Sequence, residues 1–132
     1  MNAEGSCLCG KVQIKIEGIE KNITICHCQM CQKFHGGAMI ALSPCRREQV
    51  AFEEQMLQWY ESSAWAQRGF CSQCGSSICY FEKETEKFYF SAGLFPHLSE
   101  AIVTEEMFTK DQPPYLHIAE KTIRWPGLPG KS

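Results

Sequence analysis

No stretch of this sequence is long and apolar enough to cross a membrane as a helix. Its longest uncharged apolar segment runs only from Ala38 to Leu42, against the roughly 20 residues a bilayer requires. A basic block is also missing. The 13 lysines and arginines are outweighed by 15 acidic residues, for a net charge of -2. That balance argues against a phosphate-tracking nucleic-acid binder. The opening Met1–Ser6 has neither the charged nor the apolar region of a secretory signal, so a cytoplasmic protein is expected. Long amphipathic helices, internal repeats, linkers and low-complexity tracts are absent too. What remains, 132 residues with 44% hydrophobic and 21% charged, reads as one globular domain spanning 1–132.

Cysteine is abundant. There are nine: Cys7, Cys9, Cys26, Cys28, Cys31, Cys45, Cys71, Cys74 and Cys79. An odd number cannot pair off within one chain, and disulfides do not persist in a reducing cytosol. Thiols this clustered point instead to metal ligands or reactive groups.

Between the cysteines the pattern is that of short strands. Val12, Ile14 and Ile16 alternate with polar residues, Gly18 interrupts, and Ile23 and Ile25 resume the alternation. A hairpin over Lys11 to Ile25 is the simplest reading. Gln32 to His35 fits a helical turn stopped by Gly36-Gly37. Ala38–Leu42 reads as a buried strand. Met56–Glu61 and Ala64–Phe70 pair around Ser62-Ser63, and Ile78–Phe81 and Phe88–Ser91 flank the charged turn Glu82–Lys87. Val103–Phe108 is a further strand, and the tail from Pro126 is a loop. The fold class is therefore mostly β.

Three clusters carry the chemistry: Cys7-Leu8-Cys9-Gly10, Cys26-His27-Cys28-Gln29-Met30-Cys31 and Cys71-Ser72-Gln73-Cys74-Gly75. A glycine after such a pair supplies the positive φ that turns two sulfurs toward one ion. Thiolate-rich tetrahedral sites favour zinc. The clusters hold two, three and two thiols. A closed structural zinc takes four ligands, and an exchanging one keeps an open position on three. Joining Cys7 and Cys9 to Cys71 and Cys74 makes the closed site and leaves Cys26, Cys28 and Cys31 one ligand short. Spacing alone also permits the middle cluster to share ligands with either neighbour. Cys45 and Cys79 stand isolated among apolar residues and read as small buried hydrophobes. His27 is either a fourth ligand or a hydrogen-bond donor behind the site, and between two ligating thiols its ring is expected to point away. His35, His97 and His117 read as surface or satisfied core residues.

These clusters resemble those of the glutathione-dependent formaldehyde-activating enzyme family, which also includes centromere protein V. Ser6-Cys7-Leu8-Cys9-Gly10-Lys11-Val12 resembles the family's opening strand, and Cys26 to Lys33 its second cluster, with Gly36-Gly37 near its usual glycine. Tyr60-Glu61-Ser62-Ser63 and Arg68-Gly69-Phe70-Cys71-Ser72-Gln73-Cys74-Gly75-Ser76 resemble its third block, and Ser91-Ala92-Gly93-Leu94 the segment that follows. Gln32 stands where many members carry arginine. The resemblance implies a β-tent fold of small antiparallel sheets stapled by zinc–cysteine sites. It maps Cys7, Cys9, Cys71 and Cys74 onto a structural zinc and Cys26, Cys28 and Cys31 onto a second, exchangeable zinc of catalytic importance. The implied activity joins formaldehyde to glutathione, a carbon–sulfur lyase reaction in reverse.

Three thiolates on a zinc ion leave a net charge near minus one, which suits it poorly to activating water and well to holding a fourth thiolate. Such a thiolate can attack an aldehyde carbon beside it. Lys33 and Arg46-Arg47 either favour an anionic thiol such as glutathione or are plain surface charge. The rival reading is a non-catalytic zinc-stapled module that binds a thiol metabolite or a protein partner.

Overall fold

The computed structural model describes residues 1–130. In chain order its strands are β1 (Ala3–Ser6), β2 (Gln13–Ile16), β3 (Asn22–Cys26), β4 (Met39–Leu42), β5 (Val50–Phe52), β6 (Leu57–Glu61), β7 (Ala66–Cys71), β8 (Ser77–Glu82), β9 (Lys87–Phe90), β10 (Ile102–Met107) and β11 (Ile123–Arg124). A single α-helix, α1 (Gln29–His35), sits between β3 and β4 among the described residues, and Gly36 ends it in the left-handed region at φ 78°. The fold is mostly β, as expected. No helix among the described residues is long and apolar enough to cross a membrane.

The strands form three small sheets: β1-β2-β5, β11-β10-β3-β4 and β6-β7-β8-β9. Isolated bridges from Ala41 to Ser91 and from Cys45 to Phe88 join the end of β4 to the end of β9. The first and third sheets are antiparallel, whereas β10 runs parallel to β3 and to β11. The expected hairpin over Lys11–Ile25 does not form. β2 pairs with β1 and β5, while β3 pairs with β4 and β10. Alternation identifies a strand and its buried face but not its partner. Here the tight turn at Cys7–Gly10, with Gly10 at φ 81°, already folds β1 back onto β2.

The main core lies between the first and third sheets. Ile14 and Ile16 point inward from β2, and Phe88 and Phe90 from β9. Phe52 packs edge-on against both phenylalanine rings, at 5.5 and 5.3 Å between centroids. Cys45 and Cys79, each 1% exposed, are part of this core. Burial pushes the Cys45 thiol up to about 12 and Cys79 higher still, so both stay neutral thiols. A second, smaller core gathers Met39 and Ala41 around Cys26, Cys28 and Cys31, with Tyr80, Tyr89, Met107 and Phe108 packed against them.

Gly5 marks the closest backbone approach. A Cβ there would lie 2.1 Å from the Leu94 carbonyl oxygen, whereas one on Gly93 meets nothing within 4 Å. Gly5→Ala is expected to lower stability by about 1–3 kcal/mol, with Gly93→Ala close to neutral. Thermal denaturation of the two variants side by side checks this.

Candidate metal centres

Cys7 and Cys9 lie in the turn after β1. Cys71 ends β7, and Cys74 follows in the turn before β8. The two turns are built alike. In the first, the Val12 amide donates to Cys7 Sγ at 3.3 Å and the Gly10 amide to the Cys7 carbonyl at 3.1 Å. In the second, the Cys74 amide donates to Cys71 Sγ at 3.5 Å and the Gly75 amide to the Cys71 carbonyl at 2.8 Å. Gly75 takes φ 78°, the left-handed turn that glycine permits. Ser76 couples the halves: its Oγ accepts from the Leu8 amide at 3.1 Å and lies 3.1 Å from Cys74 Sγ. Hydrogen bonding from Ser76 lowers Cys74 to about 5, so this sulfur is ready to ligate.

The four sulfurs lie within 4.8 Å of one another. Cys7 and Cys9 are 3.6 Å apart and Cys9 and Cys71 3.8 Å. Sulfurs placed tetrahedrally at the usual zinc–sulfur distance would stand about 3.8 Å apart. A disulfide needs about 2.05 Å, and all nine cysteines are free. The donor set therefore fits a tetrahedral thiolate-bound ion.

The second group is Cys26, Cys28 and Cys31, whose sulfurs also lie within 4.8 Å of one another. Cys26 ends β3. Cys28 caps α1, its sulfur accepting from the Cys31 amide at 3.3 Å, and Cys31 sits in the first turn. Hydrogen bonds from Cys26 and then Cys31 hold Cys28 far below the usual thiol range, and the reciprocal contacts push Cys26 far above it. Thiolates this close repel one another as they ionise. A divalent ion is what allows all three to ionise together. Three sulfurs with no fourth His, Cys, Asp or Glu donor among the described residues suit an ion with an open position.

His27 is fully buried but is not in this donor group. Its Nε2 meets Glu106 Oε1 at 2.8 Å. The other Glu106 oxygen accepts from Thr122 and, at 2.8 Å, from Arg124. Arg124 also donates to Gln112 Oε1 at 2.7 Å. Gln32 takes no ligand-facing role either: its Nε2 donates to the carbonyls of His27 at 2.7 Å and Asp111 at 2.9 Å. The knuckle is thus clamped from behind by the chain between Glu106 and Arg124. Arg46 and Arg47 pair with Glu48 and Glu54, and Lys33 is exposed.

Two features were not anticipated from the sequence. Arg68, in β7, is 2% exposed and donates to Cys31 Sγ at 3.5 Å. His35 lies one helical turn beyond Cys31 and meets Ser77 Oγ through Nδ1 at 2.9 Å. Burial and then the Arg68 charge lower His35 to about 4, so its imidazole is neutral at pH 7. With Met39, Ile40, Ser77, Ser91 and Leu94 it lines a groove of about 330 Å³. That volume is at the lower end of small-molecule sites. Met39 is the register partner of Cys26, which places the groove beside the trio. Both His35 Nε2 and Ser91 Oγ are buried there without a protein partner.

Strand order, paired cysteine turns and a three-sulfur knuckle define a mostly β protein with two cysteine groups able to hold a metal ion. The model of the glutathione-dependent formaldehyde-activating enzyme family matches residues 2–111, and the chain belongs to that family. An uncharacterized lyase of Schizosaccharomyces pombe is 29% identical over 121 residues, 90% of this chain and 87% of that protein. A Rhodobacter sphaeroides protein of known crystal structure superposes with a TM-score of 0.62 at 20% identity, covering 92% of this chain and 98% of that one. At that identity the likeness speaks for the fold.

Proposed function

We propose that the chain, acting as one domain over 1–132, is a zinc-dependent carbon–sulfur lyase. Its substrate would be the adduct of a glutathione-like thiol with formaldehyde or a related small aldehyde. The observation that carries this reading is the Cys26/Cys28/Cys31 group, three convergent sulfurs with no fourth such donor among the described residues, beside an open groove. Family membership supports the substrate class. The reading assigns one zinc ion to each donor set, two per chain, which the two sulfur groups support. Cys7, Cys9, Cys71 and Cys74 would hold a structural ion, and Cys26, Cys28 and Cys31 the ion at the reaction site. Nine free thiols fit a reducing, cytoplasmic setting.

When bound at the trio, zinc supplies a positive centre that keeps a substrate thiol deprotonated near neutral pH. The chain's own residues do the positioning. Helix α1 fixes Cys28 and Cys31, and β3 fixes Cys26. The groove, mostly apolar, receives the remainder of the thiol. In the synthetic direction the thiolate sulfur bonds to the aldehyde carbon, and the carbonyl oxygen takes a proton from water. Lysis runs the same bonds in reverse. Holding the two reactants together is the main source of rate.

Two measurements test this. In cobalt-substituted protein, glutathione is expected to strengthen the sulfur-to-metal charge-transfer band in wild type and not in Cys28→Ala. Exchange between formaldehyde and S-hydroxymethylglutathione, followed by NMR, is expected to run faster with zinc-loaded protein than in buffer. Binding without acceleration would identify a binding module. An unchanged cobalt spectrum would remove the thiol site altogether.

A further inference from the structure

Arg68 is a buried cation whose hydrogen-bond acceptor is a cysteine sulfur. Its Nη1 donates to Cys31 Sγ at 3.5 Å, and its guanidinium lies over the rings of Tyr80 at 5.0 Å and Phe34 at 5.7 Å. It belongs to none of the ion pairs among the described residues, all of which involve other side chains. Its Nε is buried with no acceptor. An arginine in such a place is costly unless something opposes its charge. Tyrosine and phenylalanine faces contribute modestly. The Cys26/Cys28/Cys31 group is the remaining source of negative charge, and its Cys31 sulfur is the atom that Arg68 meets.

We infer that Arg68 makes the open position of the Cys26/Cys28/Cys31 site selective for an anionic fourth ligand, a thiolate in preference to a neutral donor. This rests on the proposed reading of that site as a metal centre with a vacancy. A divalent ion on three thiolates carries a net minus one, which by itself repels a further anion. The fixed positive charge of Arg68 brings the surroundings to neutrality, so an incoming thiolate meets no net repulsion. A neutral ligand gains nothing from the same charge. Arg68 is therefore a positioning residue acting through electrostatics, and it need not touch the substrate.

The test uses cobalt-loaded full-length protein, titrated with glutathione, azide and imidazole. Two unit charges a few ångströms apart in a partly buried site attract enough to change binding roughly 10- to 100-fold. Arg68→Gln and Arg68→Met are expected to weaken glutathione and azide by that factor while leaving imidazole within about twofold. Arg68→Lys keeps the charge and is expected to recover most of the anion affinity. A variant that loses all three ligands equally, or none, overturns the inference and leaves the thiol site itself standing. Wild type that binds none of the three overturns both. If neither neutral variant folds, the comparison falls to wild type. There azide must displace imidazole from the cobalt site, and a preference for imidazole overturns the assignment.

Discussion

Serine in place of Cys71 or Cys74 is expected to give protein that is insoluble or, where soluble, short of one metal ion per chain. These two residues face Cys7 and Cys9, and the Cys9–Cys71 contact spans 62 positions of sequence. Structural zinc contributes roughly 10 kcal/mol or more to the folding of small domains. That is comparable with the whole stability of a domain, about 5–15 kcal/mol. The buried Cys7 and Cys71 also belong to the main apolar core, so an unligated set would leave polar thiols and a gap within it. Cys79→Ala is the control, because Cys79 lies in the same core outside both donor sets. It is expected to lose roughly 1–3 kcal/mol and to keep its metal. Metal analysis with thermal denaturation reads both outcomes. Soluble Cys74→Ser protein with unchanged metal content and Tm would remove the site from the folding account.

Glu106→Ala is expected to destabilise by about 3–5 kcal/mol, the range seen when one member of a buried ion pair is deleted. Glu106 is 1% exposed and shares its two oxygens among His27, Thr122 and Arg124. The substitution frees the back of the metal knuckle, so metal at the trio should also exchange faster with a chelator. Burial alone would raise the Glu106 carboxyl, but bonds from Thr122, His27 and Arg124 outweigh it and hold the group below its ordinary value. Its folded value is thus depressed. The stabilisation is fully present above the unfolded value of about 4.3 and is lost as pH falls through the folded one. Wild type should therefore lose its advantage over Glu106→Gln in acid. Urea melts of the two proteins at neutral pH and near pH 3 check this, and a constant difference would show that Glu106 carries no charge-dependent role.

The cysteine clusters were legible because ligand chemistry leaves a local mark: paired thiols, a glycine at the turn and a count of ligands. Their assembly into groups of four and three needed the structure, since spacing does not say which segments meet. Strands with one buried face were legible as well, as in the eBeB alternation of Gln13–Ile16. β7 was harder to read. Its residues are buried on both faces, so Arg68 looks like the polar member of an ordinary alternation when it is in fact interior. Glu106 was hidden in the same way, an acidic residue beside Glu105 in a strand whose other acidic position is only half buried. A buried charge has no signature of its own in sequence. Its partners here, Cys31 for Arg68 and His27 for Glu106, are 37 and 79 positions away.

The parallel pairing of β3 with β10 sets the order in which the chain can assemble. Ile23 and Ile25 lie on a strand that can take its antiparallel neighbour, β4, as soon as about 20 more residues follow. Its other edge has no partner until Met107 is in place, because Ile102–Met107 alone fills it. A nascent chain leaving the ribosome therefore carries an open, apolar strand edge next to Cys26 until β10 has been made. The thiols of the knuckle are exposed over the same interval, and the clamp from Glu106 to His27 closes only once β10 is in place.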